Sequence, residues 1–221
     1  MQSFIFDFNG TLYPDKELHR LAWKRFLTER GIGFSDEEYE KYMYGPANDV
    51  IVRRYLGNSL PLREVRRLSA IKEAMYREIA LEDTRLQVLT PGTEEMLETL
   101  SSRGIPHAIA TASMPDNADF YFNTLGIGRW FDRRHVFFHE ADLPGKPDPA
   151  IYRLAMHQLG YKPNEVTVVE DSMSGIQSAI GAGVRNIIAI DTTMGPNAFE
   201  GISAVKAVIH DFYDFERFIE A

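Results

Sequence analysis

Short apolar runs recur along the chain at Phe4-Ile5-Phe6, Ala108-Ile109-Ala110, Val136-Phe137-Phe138, Val166-Thr167-Val168-Val169 and Asn186-Ile187-Ile188-Ala189-Ile190. Successive positions are apolar in them, so both faces of each strand must be covered, and segments of helical periodicity lie between them. Strands of this kind belong in a parallel sheet packed between helices. The alternation breaks at one place. After the first run, residues 15–88 hold amphipathic segments and no convincing strand: Glu17 to Arg30, a capping-box start at Ser35-Asp36-Glu37-Glu38, and Leu62 to Leu81. The pattern predicts an α/β core with a Rossmann-like parallel sheet, residues 1–14 and 89–221, interrupted by an inserted α-helical cap domain, residues 15–88. Thr90-Pro91-Gly92 is a turn signal at the return, just ahead of a helix over Glu94 to Leu100.

A chain of 221 residues is long enough for such a core to carry an insertion. Its 24 Lys and Arg against 32 Asp and Glu give a net charge of −8, with no basic cluster interleaved with aromatics, which argues against nucleic acid as a partner. The absence of cysteine excludes disulfides and thiolate metal sites. No apolar run approaches a membrane span, and Ser3 to Asp7 carry neither a basic leader nor a cleavage site, so the expected compartment is the cytoplasm. Small soluble ligands, and neither nucleic acid nor membrane, are the expected partners.

In an open parallel sheet the ligand site lies beyond the carboxyl ends of the strands. There the chain places Asp7-Phe8-Asn9-Gly10-Thr11, Thr111-Ala112-Ser113, Gly145-Lys146-Pro147 and Glu170-Asp171-Ser172. A carboxylate, hydroxyls, a lysine and an acidic pair suit phosphoryl transfer through an aspartyl-phosphate on Asp7. A hard cation such as Mg²⁺ takes oxygen ligands, so Asp7 and Asp171 can bind it directly and Glu170 directly or through water. Lys146 would neutralise the nucleophile, and Thr111 and Ser113 would hydrogen-bond phosphoryl oxygens with the help of backbone amides. Each feature also has a plainer reading. Asp7 alone caps a turn, Thr111 and Ser113 are N-caps for a helix near Pro115, Lys146-Pro147 is a solvated turn, and Glu170-Asp171 is an acidic helix start.

Taken together and in order, Asp7-x-Asn9-Gly10-Thr11, Thr111, Lys146-Pro147 and Glu170-Asp171 resemble the four motifs of the haloacid dehalogenase superfamily. The resemblance covers essentially the whole chain, and the insertion looks like the helical cap of the β-phosphoglucomutase-like branch. It implies a Mg²⁺-dependent hydrolase of a small phosphorylated metabolite, with Asp7, Asn9, Thr111 and Lys146 catalytic. Gly10, Thr11, Ala112 and Ser113 would bind phosphate, and Asp7, the Asn9 carbonyl, Glu170 and Asp171 the metal. In the cap, His19 and Trp23 sit where that branch has a hinge-side His and a Trp. Lys72 corresponds to a cap lysine, and Asn48, in Gly45-Pro46-Ala47-Asn48, to an arginine that grips a second phosphate. A monomer is the default for this branch.

Two departures qualify the resemblance. Family phosphatases and mutases usually carry an aspartate, the general acid and base, where this chain has Asn9. Asparagine cannot deliver a proton, and such catalysis is worth about 10²–10⁴-fold in rate. An acyl-phosphate leaving group, a proton from another group such as His19, a binding protein with weakened chemistry, and an introduced Asp-to-Asn change all fit this residue. The dehalogenase branch also lacks that acid, but it needs no Mg²⁺, and Glu170-Asp171 keeps the metal-dependent pattern. Asn48 cannot reproduce a bidentate arginine grip, which favours a phosphatase over a phosphohexomutase. His139 and Glu140 lie near Lys146 in the sequence without an assigned role, and for Lys72 and Asn48 a solvated helix surface stays open.

Overall fold

The computed structural model describes residues 2–44, 46–139, 143–191 and 198–219. In chain order, β1 (Ser3–Phe6) is followed by α1 (Lys16–Thr28), α2 (Asp36–Tyr42), α3 (Asn48–Leu56) and α4 (Leu62–Glu82). Then come α5 (Thr93–Ser102), β2 (His107–Ala110), α6 (Ala118–Asn123), β3 (Val136–Phe137), α7 (Ala150–Leu159), β4 (Val166–Glu170), α8 (Met173–Gly181), β5 (Asn186–Ile190) and β6 (Val205–Ile209). The chain divides into two compact units, Met1–Pro14 with Val88–Ala221, and Asp15–Gln87.

The first unit is a Rossmann-like α/β layer structure. Its strands run in the order β3-β2-β1-β4-β5-β6, and every neighbouring pair is parallel. Chain progression reverses between β1 and β4, and a crevice opens at the carboxyl ends of the strands at such a switch point. β1 and β4 are buried at every residue, as their unbroken apolar runs require. Ile5, Val168 and Ile187 from the strands pack with Tyr152 of α7 and Ile176 of α8 in one apolar cluster.

Two details depart from the sequence pattern. β3 pairs over Val136 and Phe137 only, one residue short of its apolar run. β6 was not anticipated at all: it is an edge strand in which partly exposed residues alternate with exposed ones until Ile209, so it lacks the continuous apolar signature.

The second unit is helical among its described residues. Trp23 and Phe26 of α1, Tyr39 of α2, Ile51 and Val52 of α3 and Val65 of α4 share one apolar cluster. Ser35 caps α2 by accepting from the Glu38 N–H at 3.2 Å. α3 was not expected, because it is short and carries the consecutive apolar run Val50-Ile51-Val52, with Val50 exposed, which is not helical spacing. Among the described residues, no helix is long and apolar enough to cross a membrane.

Candidate active site at the carboxyl edge of the sheet

Asp7 leaves β1 with its N–H on the Val169 carbonyl at 2.9 Å, which carries the β1–β4 ladder one residue further. Glu170 ends β4 and Asp171 follows it, so the switch point brings three buried carboxylates together. One oxygen from each lies within 4.8 Å of the others. Like charges that close repel, and burial removes the water that would screen them. Lys146 answers part of this from the loop before α7. Its Nζ donates to Asp7 Oδ1 at 2.6 Å, Glu170 Oε1 at 2.5 Å and the Ala110 carbonyl at 3.0 Å. Burial alone would lower its pKa, but the Asp7 and Glu170 charges outweigh burial and hold it well above the usual lysine value. One ammonium still faces three carboxylates. An oxygen-only donor set with surplus negative charge fits a hard divalent cation.

Glu170 is held from several sides. Besides Lys146, its carboxylate accepts from Tyr152 Oη at 3.1 Å, the Ser172 N–H at 2.9 Å and Ser172 Oγ at 3.0 Å. Burial, and then the Glu170 charge, push the Tyr152 phenol well above its ordinary pKa, so it remains a donor. Ser172 also N-caps α8, accepting from the Gly175 N–H at 3.0 Å. The acidic pair is therefore not the helix start itself. Two glycines make room for this packing: a Cβ at Gly10, whose φ is +80°, would collide with the Asp171 carboxylate, and one at Gly175 with that of Glu170. Thr11 is buried, and its hydroxyl donates to Asp171 Oδ1 at 3.3 Å.

Asn9 and Thr111 meet directly. Thr111 Oγ1 donates to Asn9 Oδ1 at 3.0 Å and accepts from the Ser113 N–H at 3.0 Å, while Asn9 Nδ2 donates to Tyr121 Oη at 3.0 Å. The N-cap reading of Thr111 and Ser113 is overturned: the turn Pro115–Asn117 is preceded by Met114, and α6 is preceded by Asn117, neither with a side-chain cap bond. Ala112 is exposed between them. The His139 N–H donates to the Ser113 carbonyl at 3.0 Å.

The residues picked out in the helical unit form a cluster of their own. Lys72 is fully buried, and its Nζ donates to Glu73 Oε1 at 2.8 Å and to His19 Nδ1 at 2.6 Å. An ammonium only donates, so Nδ1 accepts and the imidazole proton sits on Nε2, 3.3 Å from Asp15 Oδ2. Tyr76 Oη donates to the same Asp15 oxygen at 2.5 Å, and Asn48 Nδ2 donates to Glu73 Oε1 at 2.7 Å. A solvated helix surface is therefore wrong for Lys72, and Asn48 is spent on Glu73. Trp23 is buried in the apolar cluster, with the Lys72 ammonium 5.4 Å from its ring. Gly45 and Glu140 lie outside the described residues.

Sequence reasoning missed Tyr121, Tyr152 and Gly175. A tyrosine on an amphipathic helix reads as packing until the strand register shows what its hydroxyl meets. Gly175, two residues into a helix, did carry a signal, because glycine is a poor choice there unless something must approach closely.

A parallel sheet with a carboxylate nucleophile candidate, a buried lysine and an acidic pair at its switch point defines a hydrolase of the phosphoryl-transfer type. The family described as haloacid dehalogenase-like hydrolase matches residues 1–183, and the chain belongs to it. The chain is 28% identical over 190 residues to a phosphorylated carbohydrates phosphatase of Thermotoga maritima, covering 86% of this chain and 85% of that one. To a validoxylamine A 7′-phosphate phosphatase of Streptomyces hygroscopicus subsp. limoneus it is 30% identical over 184 residues, 81% of each. The crystal structure of a HAD hydrolase, family IA, variant 3, from Entamoeba histolytica superposes with a TM-score of 0.88 at 31% identity, covering 96% of this chain and 94% of that one.

Proposed function

We propose that the protein is a Mg²⁺-dependent phosphatase of a small phosphorylated metabolite, working through an aspartyl-phosphate on Asp7. The observation that carries this reading is the placement of Asp7 between Lys146 and the Glu170-Asp171 pair. Relatives named as phosphatases of phosphorylated carbohydrates and of validoxylamine A 7′-phosphate support a phosphorylated polyol or sugar as substrate. A carboxylate oxygen of Asp7 bonds to phosphorus as the bond to the ester oxygen breaks, and the leaving alkoxide takes its proton from water. Water then attacks the same phosphorus, freeing Asp7 and releasing inorganic phosphate.

Asp7, the Asn9 carbonyl and Asp171 would hold Mg²⁺, with Glu170 direct or through water; when bound, the cation offsets charge on the phosphoryl oxygens. Lys146 holds the Asp7 carboxylate in place through its 2.6 Å hydrogen bond. Asn9 cannot protonate the leaving oxygen, so turnover is slow on alkyl esters and faster on acyl phosphates, whose leaving group needs little protonation. The same residue favours a second reading, a phosphometabolite-binding protein that has lost turnover.

The test is phosphate release from sugar phosphates, nucleotides, acetyl phosphate and pyrophosphate, with Mg²⁺ and with EDTA, for the parent chain, Asn9→Asp and Asp7→Ala. Mg²⁺-dependent release lost in Asp7→Ala supports the phosphatase. No release from either the parent or Asn9→Asp sinks it in favour of the binding protein.

A further inference from the structure

Of the eight asparagines in the chain, Asn9 alone is followed by glycine. An asparagine side-chain amide is open to attack by the main-chain nitrogen of the next residue, and glycine, with no Cβ, hinders that approach least. Asn9 and Gly10 are partly exposed, so water reaches them, while Asp7, Phe8 and Thr11 on either side are buried. The surroundings of the amide suit the reaction. Thr111 Oγ1 donates at 3.0 Å to Asn9 Oδ1, the atom on which negative charge builds as the amide carbon becomes tetrahedral. Tyr121 Oη lies 3.0 Å from Asn9 Nδ2, 3.4 Å from Oδ1 and 2.6 Å from Ser113 Oγ. In the planar amide Nδ2 donates to this phenol. In the tetrahedral state the nitrogen lone pair is localised and takes the phenol hydrogen, which is what an amine leaving group needs. One contact opposes the attack: the Gly10 N–H donates to the Tyr13 carbonyl at 2.7 Å and must let go, which slows the step by up to about tenfold.

We propose that Asn9-Gly10 is a self-modification site, at which Tyr121 and Thr111 assist the conversion of Asn9 to aspartate and so install the acid that the site lacks. The Gly10 nitrogen gives its proton to water and bonds to Asn9 Cγ. The Cγ–Nδ2 bond breaks, and ammonia leaves with a proton from Tyr121, which recovers one from solvent. Water then adds to Cγ, the bond from Cγ to the Gly10 nitrogen breaks, and that nitrogen regains a proton; one water enters and one ammonia leaves. Reopening the ring at the main-chain carbonyl would instead give isoaspartate, with one more carbon in the backbone. The turn resists that outcome, because the Thr11 and Tyr13 N–H groups both donate to the Phe8 carbonyl, at 3.2 and 2.9 Å, and Gly10 packs against the Asp171 carboxylate. A general acid is worth about 10²–10⁴-fold in rate, so about one converted molecule in a hundred at least matches the turnover of all the others. That gain in turnover rests on the phosphatase reading; the modification does not.

The test holds freshly purified protein in mildly alkaline buffer and follows it by peptide mass mapping, with an isoaspartate-specific methyltransferase to separate the two products and a synthetic peptide spanning Phe6 to Leu12 as reference. The peptide containing Asn9 should gain the mass difference between amide and acid ahead of every other asparagine. Its product should be aspartate in the folded protein and mainly isoaspartate in the free peptide. Phosphate release, assayed on the same samples, should rise with the converted fraction. Tyr121→Phe and Thr111→Val, each verified as folded by thermal melts, should convert at least about tenfold more slowly than the parent, and either one alone suffices if the other does not fold. An Asn9 amide still intact when the free peptide has been consumed, isoaspartate as the main product in the protein, or parent-like conversion in a folded variant would overturn the proposal. If the converted protein and Asn9→Asp both fail to release phosphate, the phosphatase reading falls and the modification stands.

Discussion

Lys146 in the α/β unit and Lys72 in the helical unit are both buried beside carboxylates, yet their surroundings balance differently. Lys72 has Glu73 for its charge, His19 for a second hydrogen bond and the Trp23 and Tyr76 rings at 5.4 and 5.5 Å, and the nearby Asp15 is bonded by Tyr76 and His19. Lys146 faces Asp7 and Glu170 with Asp171 beside them. The first arrangement satisfies its members within the protein. The second sets one ammonium against three carboxylates, an oxygen donor set that fits a hard cation. Two buried lysines thus mark two kinds of place, one held by hydrogen bonds within the helical unit and one beside a carboxylate set that fits a cation.

Variants in the two clusters should therefore fail in different ways. The largest effect is expected in the charge-rich cluster: on the proposed mechanism Asp7→Ala removes the nucleophile, and it should cut Mg²⁺-dependent phosphate release by at least about 10⁴-fold in steady-state assays. Next is Lys72→Met, which leaves Glu73 and His19 without their cation and should lower unfolding free energy by about 3 kcal/mol in urea titrations. Its Mg²⁺ affinity should match the parent's, and a loss of metal binding instead would erase the distinction between the clusters.

Metal itself gives the third effect. Free Mg²⁺ at about 100 times its dissociation constant should raise unfolding free energy by about 2.7 kcal/mol. Asp171→Asn should lose most of that shift, and a shift that survives it would place the cation elsewhere.

The smallest effect concerns packing. Gly175→Ala forces a methyl into the Glu170 carboxylate, at a cost of about 1–3 kcal/mol, and should slow turnover as Glu170 loosens its hold on Lys146. Gly33→Ala, whose Cβ would meet nothing within 4 Å, should stay within about 0.5 kcal/mol of the parent.

Much of this was readable along the chain. Unbroken apolar runs gave β1, β2, β4 and β5, because a strand covered on both faces needs apolar residues at consecutive positions. Helical periodicity gave α1 and α4 to within a few residues. The chemical residues were legible for a related reason: a parallel sheet gathers whatever follows its strands, so Asp7, Lys146, Glu170 and Asp171 could be grouped before their distances were known. β6 escaped because Lys206 and its neighbours leave an edge strand half exposed, without the apolar run. α3 escaped because it is short and its apolar residues bunch at Val50-Ile51-Val52.

The sequence by itself determined the sheet apart from β6, the helical stretch after β1 and the grouping of Asp7, Lys146, Glu170 and Asp171, since each depends on local periodicity or on position after a strand. Only the tertiary structure decided which hydroxyl serves which acceptor. Tyr121 meets Asn9 across 112 positions of sequence and Tyr152 meets Glu170 from the preceding helix, through register and helix rotation that no local pattern encodes. The same holds for the Lys72 cluster: Lys72 reaches His19 because α1 and α4 pack at one particular rotation, and hydrogen bonds, being directional and short, respond to placement that hydrophobic patterning leaves open.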